Sequence, residues 1–132
     1  MTWTLNEDFS DSAMRSYSAA ALLKSSGDLA TSSHLFGVAA ECALKATLER
    51  ANIVVDKKSK LREHIPKLID NILYLGYSRH MGAVAPSLDR IKTYFSDYSI
   101  DTRYAAENAV DSGRGANWES GALLTLQVCG FN

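Results

Sequence analysis

His34, His64 and His80, Cys42 and Cys129, and the charged pair Glu41 and Lys45 are the residues of this 132-residue chain from which chemistry would first be sought. The histidines show no HExxH or HxH spacing, and no Cys-x-x-Cys occurs, so no metal site is expected. Neither a GxxxxGKS/T loop nor a GxGxxG turn after a strand is present, which argues against a nucleotide-binding α/β fold, and no cofactor is expected. The serines lie in helical stretches, without the strand–turn–helix setting of a nucleophile elbow.

Three groups remain. Glu41 and Lys45 stand four residues apart, in the order that favours an ion pair along a helix. They form either a surface pair contributing a few tenths of a kcal/mol or, with Glu49, a charged stripe facing a groove or a partner. His64, two residues before Pro66, is either a packing residue at a helix start or a base. Arg103 and Tyr104 pair a guanidinium with a phenol, a combination suited to phosphate or base contact. A structural salt bridge is the alternative role for Arg103.

The elements that must position these groups are helices. Residues 35–50, LFGVAAECALKATLER, are apolar on almost every side. That exceeds the roughly 100° stripe of a surface helix, so this segment should be a central helix packed by neighbours on several sides. Its many alanines allow close backbone approach. A first helix is predicted over residues 12–26, with Ser10 or Asp11 as N-cap. Gly27 would close it and Asp28 would cap the second, making an antiparallel hairpin. A third helix opens near His64-Ile65-Pro66 and ends at Gly76, with Ile65, Leu68, Ile69 and Ile72 at helical spacing. Val84, Leu88, Ile91 and Phe95 trace a fourth, with Pro86 near its start. Trp118, Ala122, Leu126 and Cys129 trace a fifth, closing at Gly130. Residues 96–117 lack a strong apolar period. A stretch that long in a compact domain is usually functional or mobile. Within it, residues 102–110 are predicted to be partly helical, with Arg103, Ala106, Glu107 and Val110 on one face, and Gly113 and Gly115 to be flexible.

Composition bounds the rest. The length suits one domain over residues 1–132, all-α, with a hydrophobic fraction of 46% and a charged fraction of 22%. A net charge of −1 gives no global field for nonspecific nucleic-acid binding. Cys42, inside the apolar helix, is expected to be a buried free thiol. The acidic start, MTWTLNEDFSDS, lacks a basic region followed by an apolar run, and no segment approaches the roughly 18 apolar residues of a membrane span. A cytoplasmic protein without membrane contact is expected.

The run AAECALKATLE, preceded by a Gly-Asp junction and an Ala- and Tyr-containing first helix, resembles the second helix of the HEPN helical-bundle superfamily. That family's AE and LKA positions correspond to Ala40-Glu41 and Leu44-Lys45-Ala46. His64-Ile65-Pro66-Lys67-Leu68 resembles the histidine-led opening of its next helix, and Arg103-Tyr104 resembles its Arg-Tyr pair. The likeness spans residues 12–104. It implies an up-and-down bundle of four to five helices and a two-fold homodimer, in a prokaryotic defence or toxin–antitoxin setting. Many members are metal-independent ribonucleases; others are noncatalytic domains that bind RNA, a nucleotide or a partner such as an antitoxin or a nucleotidyltransferase. The ribonucleases carry Arg, four to six residues, then His. Proton transfer at a 2′-hydroxyl and charge stabilisation of a phosphorane demand such a pair. No arginine here has a histidine at that spacing, and after Arg103 the position is held by Asn108. Asparagine forms hydrogen bonds but does not shuttle protons near neutral pH. A degenerate, binding-only member is therefore the expected reading, with Arg103, Tyr104, Asn108, Glu41, Lys45 and His64 as the candidate RNA- or nucleotide-binding residues. The alternative is a ribonuclease with a divergent site, built from Arg103 with Tyr104, Glu107 or His64.

Overall fold

The computed structural model describes residues 7–56 and 58–131. Helix α1 (Phe9–Ser25) starts earlier than predicted, because Asp8 rather than Ser10 or Asp11 is the N-cap. Its Oδ1 accepts the Asp11 backbone N–H at 3.0 Å, which satisfies a free donor of the first turn. Gly27, at φ 89°, adopts the left-handed conformation that ends α1. There the Asp28 N–H donates to the Leu23 carbonyl at 2.9 Å. Asp28 then caps helix α2 (Leu29–Arg50) by accepting the Thr31 N–H at 3.0 Å, so the expected hairpin forms on the expected residues.

Helix α2 is the axis of the fold. Phe36, Ala39, Ala40, Ala43, Leu44 and Leu48 are at most 1% exposed, and together they occupy several faces of the helix. It contacts α1, the C-terminal helix α5 (Ser112–Val128) and the 3-10 turns that precede α5. Helix α3 (Lys67–Tyr74) buries Leu68, Ile69 and Ile72, and begins just after Pro66. The predicted fourth helix is divided into a 3-10 turn (Gly82–Ser87) containing Pro86 and helix α4 (Leu88–Tyr94). Its buried positions Val84, Leu88, Ile91 and Phe95 are those the sequence pattern indicates. The reason for the division is that proline has no N–H to give an α-helical ladder. Five α-helices and no strand occur among the described residues.

The segment before α5 differs from expectation. It folds into 3-10 turns at Ile100–Tyr104 and Glu107–Ala109, separated by extended backbone at Ala105 and Ala106. Arg103 and Ala106 are exposed while Val110 is buried, so the shared face predicted for residues 102–110 does not form. Gly113 and Gly115 are helical residues of α5. Gly115 is buried, and a Cβ there would stand 2.8 Å from Leu29 Cδ1 and 3.0 Å from Ser33 Oγ. Close approach to α2, rather than flexibility, accounts for that glycine. Cys42 and Cys129 are buried free thiols, and burial pushes Cys42 up to about 11, away from reactive thiolate. No helix among the described residues is long and apolar enough to cross a membrane.

Candidate functional site

His34, Glu41 and Lys45 project from one side of α2, because steps of seven and four residues nearly complete whole turns at 3.6 residues per turn. Glu41 and Lys45 are 8% and 3% exposed, so of the two alternatives the surface pair is excluded and the pair is buried. Glu41 Oε2 accepts from Lys45 Nζ at 3.0 Å, and Glu41 Oε1 lies 2.9 Å from His64 Nδ1. A carboxylate only accepts, so this contact places the imidazole proton on Nδ1 and leaves Nε2 as the unpaired nitrogen of a half-exposed ring. Burial arises from the segment before α3, where Leu61 and Ile65 are 1% and 2% exposed and anchor His64 over the helix. The Phe9 ring closes another side, its centroid 5.7 Å from Lys45 Nζ and 5.8 Å from the Arg62 guanidinium. Arg62 grips Glu7 with two bonds, at 2.7 and 2.5 Å. Glu49, the third member of the predicted stripe, is exposed and takes no part in this network.

Toward the start of α2 the same side is crossed by Tyr98. Gly37 makes the crossing feasible, since a Cβ there would fall 2.1 Å from Tyr98 Cζ. The Tyr98 hydroxyl donates to the His34 carbonyl at 3.1 Å and lies 3.4 Å from His34 Nδ1. Its ring meets those of Phe95 and Trp118 edge to face, with centroids 5.7 and 5.1 Å away. Asp97 reinforces the anchor by accepting from Trp118 Nε1 at 3.0 Å and Arg114 Nε at 2.9 Å. Burial alone would raise the Asp97 carboxyl, yet these two bonds outweigh it and hold it below its ordinary value. Burial, with the Glu41 charge adding to it, raises the Tyr98 phenol.

From this anchor the chain turns so that Arg103 reaches the first turns of α2. Ser99 begins the turn by accepting the Asp101 N–H on its hydroxyl at 3.1 Å. Ala30, Thr31, His34, Thr102, Arg103 and Ala105 line a cavity of about 90 Å³. Burial, then the Arg103 charge, lowers the His34 pKa, and Glu41 opposes them. The imidazole is thereby biased toward its neutral form. The Arg103 guanidinium lies 4.7 Å from the centroid of the Tyr104 ring, which is 75% exposed. Among the described residues, no carboxylate pairs with Arg103, so the salt-bridge role is not seen.

Of the six candidates, the fold joins Glu41, Lys45 and His64 in one network and sets Arg103 on Tyr104. Asn108 is exposed in the second 3-10 turn and bonds to neither group among the described residues. The Glu107 side chain lies outside the described residues. His34 is considered from sequence only as a metal ligand and is left out of the candidate site, and Tyr98 is missed. His34 had a signal, since it precedes Glu41 by seven residues on the same stripe. Tyr98 had none, because it lies in the aperiodic stretch and its partner in α2 is 64 residues away.

No family model, curated protein or solved structure matches this chain. A guanidinium without a carboxylate partner among the described residues, set on an exposed aromatic ring, is suited to phosphate and base contact, and an imidazole biased toward its neutral form in the same cavity is able to accept a proton. Among the described residues no group of three His, Cys, Asp or Glu is placed to hold a metal.

Proposed function

We propose that this chain is a noncatalytic domain of the HEPN-like helical-bundle type that binds RNA or a nucleotide as a homodimer. The observation that carries this reading is the exposed Arg103–Tyr104 pair, a cation without a carboxylate partner among the described residues, stacked on an open ring. Phosphate contact would come from the guanidinium and base stacking from the outer face of the phenol. The missing Arg-to-His spacing, with Asn108 at the expected position, supports binding without cleavage. The same resemblance makes a cognate antitoxin or a nucleotidyltransferase a candidate partner. Arg103→Ala should weaken binding of a labelled single-stranded RNA about tenfold, a loss of 1.4 kcal/mol, with melting temperature unchanged. Unaltered binding, or an unfolded variant, would remove Arg103 from the site.

One observation favours a second reading, a metal-independent ribonuclease with a divergent site. His34 lines the same cavity as Arg103, so α2 supplies in space the histidine that the downstream sequence lacks. An imidazole biased toward neutrality beside a fixed cation can take a proton from a 2′-hydroxyl while the guanidinium steadies the phosphorane. Single-stranded RNA left intact by equimolar protein would sink this alternative. Cleavage that disappears in His34→Ala would establish it over the binding-only reading.

A further inference from the structure

We infer that the cavity between His34 and Arg103 receives the terminal phosphate monoester of a ribonucleotide, with its ribose in the adjoining recess beside Asp28. The inference rests on the reading of Arg103 as a nucleotide-binding residue and names the chemical group it takes.

Size comes first. At about 90 Å³ the cavity is well below the roughly 300 Å³ at which pockets begin to enclose drug-sized ligands, and holds the space of about three waters. A nucleoside does not fit inside it, whereas one phosphoryl head does. The lining is chemically matched to that head. Arg103 offers a fork of N–H donors, His34 an imidazole, and Thr31 and Thr102 hydroxyls. Neither threonine hydroxyl bonds to another group among the described residues. A monoester carries about −1.5 to −2 charge at neutral pH, against a single charge on an internal diester. A small recess with a guanidinium in its lining thus favours the more highly charged chain end over a phosphate with strand continuing on both sides.

Asp28 sets the orientation. A wider, open recess of about 410 Å³ shares Ala30, Thr31 and Ala105 with the small cavity and extends to Ser26, Gly27 and Asp28. Asp28 Oδ1 is committed to the Thr31 N–H at 3.0 Å, so the start of α2 is already capped by an anion. Its negative charge excludes a phosphate from the recess and confines it to the His34 and Arg103 side. Oδ2 accepts no bond among the described residues, and a carboxylate oxygen there suits the 2′- and 3′-hydroxyls of a ribose.

The test is fluorescence anisotropy on the full chain with one ten-nucleotide single-stranded RNA in three forms: 5′-phosphorylated, 3′-phosphorylated, and hydroxyl at both ends. One phosphorylated end should bind about tenfold tighter than the hydroxyl form, and His34→Gln should abolish the difference. Thr31→Val reports on the same cavity should His34→Gln fail to fold. Adenosine monophosphate that competes at concentrations equal to the RNA identifies a free nucleotide as the ligand. Competition only at large excess identifies the strand end; both results support the phosphoryl site. Equal binding of all three RNAs, with Arg103→Ala still weakening each, would overturn this inference and leave the RNA-binding reading standing. RNA binding insensitive to Arg103→Ala would overturn the reading beneath it. A DNA strand of equal affinity and end preference would overturn the placement of ribose at Asp28.

Discussion

Glu41–Lys45–His64 and Arg103–Tyr104 each hold a basic side chain, and burial gives the two groups opposite roles. In the first group an acid and a base are enclosed by Phe9, Leu61 and Ile65, and each charge is held by the other. Removing one partner strands the other away from water, where an unpaired charge is costly. In the second group the guanidinium and phenol remain in solvent, and their substitution costs the fold little. A charged residue whose loss unfolds the protein says little about ligand, whereas one whose loss leaves the fold intact is free to report on binding. Tyr98 lies between the groups and touches α2 at Gly37, so the contrast can be tested from both directions.

The largest effect is expected from Glu41→Ala, which leaves the Lys45 ammonium buried without its carboxylate. Urea unfolding should show a loss of about 3–5 kcal/mol. The double replacement Glu41→Leu with Lys45→Met should recover most of it, since a well-packed apolar pair of similar volume replaces the ions. If the single variant is as stable as the parent, the network is not the enclosed one described here.

Next is Gly37→Ala. The added methyl would overlap the Tyr98 ring, with a Cβ 2.1 Å from Cζ, and overpacking of this kind costs about 1–3 kcal/mol. Displacing Tyr98 also moves the chain that carries Arg103, so RNA binding should fall with stability. Stability lost without any change in binding would show that the two regions are independent.

A smaller effect should appear as a pH dependence. His34 has a folded-state pKa below its ordinary 6.5, from burial first and Arg103 second. The unfolded chain therefore binds the proton more readily, and stability rises with pH through that interval. The His34 contribution is complete above 6.5 and is lost as pH falls through the lowered value. Denaturation midpoints between pH 5 and 7.5 should be less steep with pH in His34→Gln than in the parent; equal slopes would remove His34 as the group responsible. The smallest change in stability is expected from Arg103→Ala, within about 0.5 kcal/mol as for exposed positions, while its expected effect is on RNA affinity.

The legible parts of the fold were those governed by local periodicity. The α1–α2 hairpin, the burial of α2, and the buried positions Val84, Leu88, Ile91 and Phe95 were readable because apolar spacing and Gly-Asp punctuation act within a few residues. Two corrections share a cause. Gly113 and Gly115 were assigned to a flexible loop because glycine is a poor helix former. Gly115 is nevertheless a residue of α5, and it is a glycine because Leu29 and Ser33, some eighty residues earlier in the chain, leave no room for a Cβ. The surface alternative for Glu41 and Lys45 fails for the same reason, because nothing within one helical turn reveals that residues 61–65 and Phe9 cover them.

The candidate site divides in the same way. Arg103 and Tyr104 could be singled out as neighbouring residues of suitable chemistry, and the absence of a histidine downstream of Arg103 is a fact of the sequence alone. His34 became part of the site only when Tyr98 crossed Gly37 and carried the 3-10 turn Ile100–Tyr104 to the start of α2. By itself, then, the sequence determined an all-helical chain, its central helix and its inventory of chemically able groups, since those depend on residue type and short spacing. Which charges are buried, which cation is exposed, and which histidine shares a cavity with Arg103 were decided by tertiary structure. Burial and long-range proximity belong to the packed assembly, and no spacing along the chain encodes them.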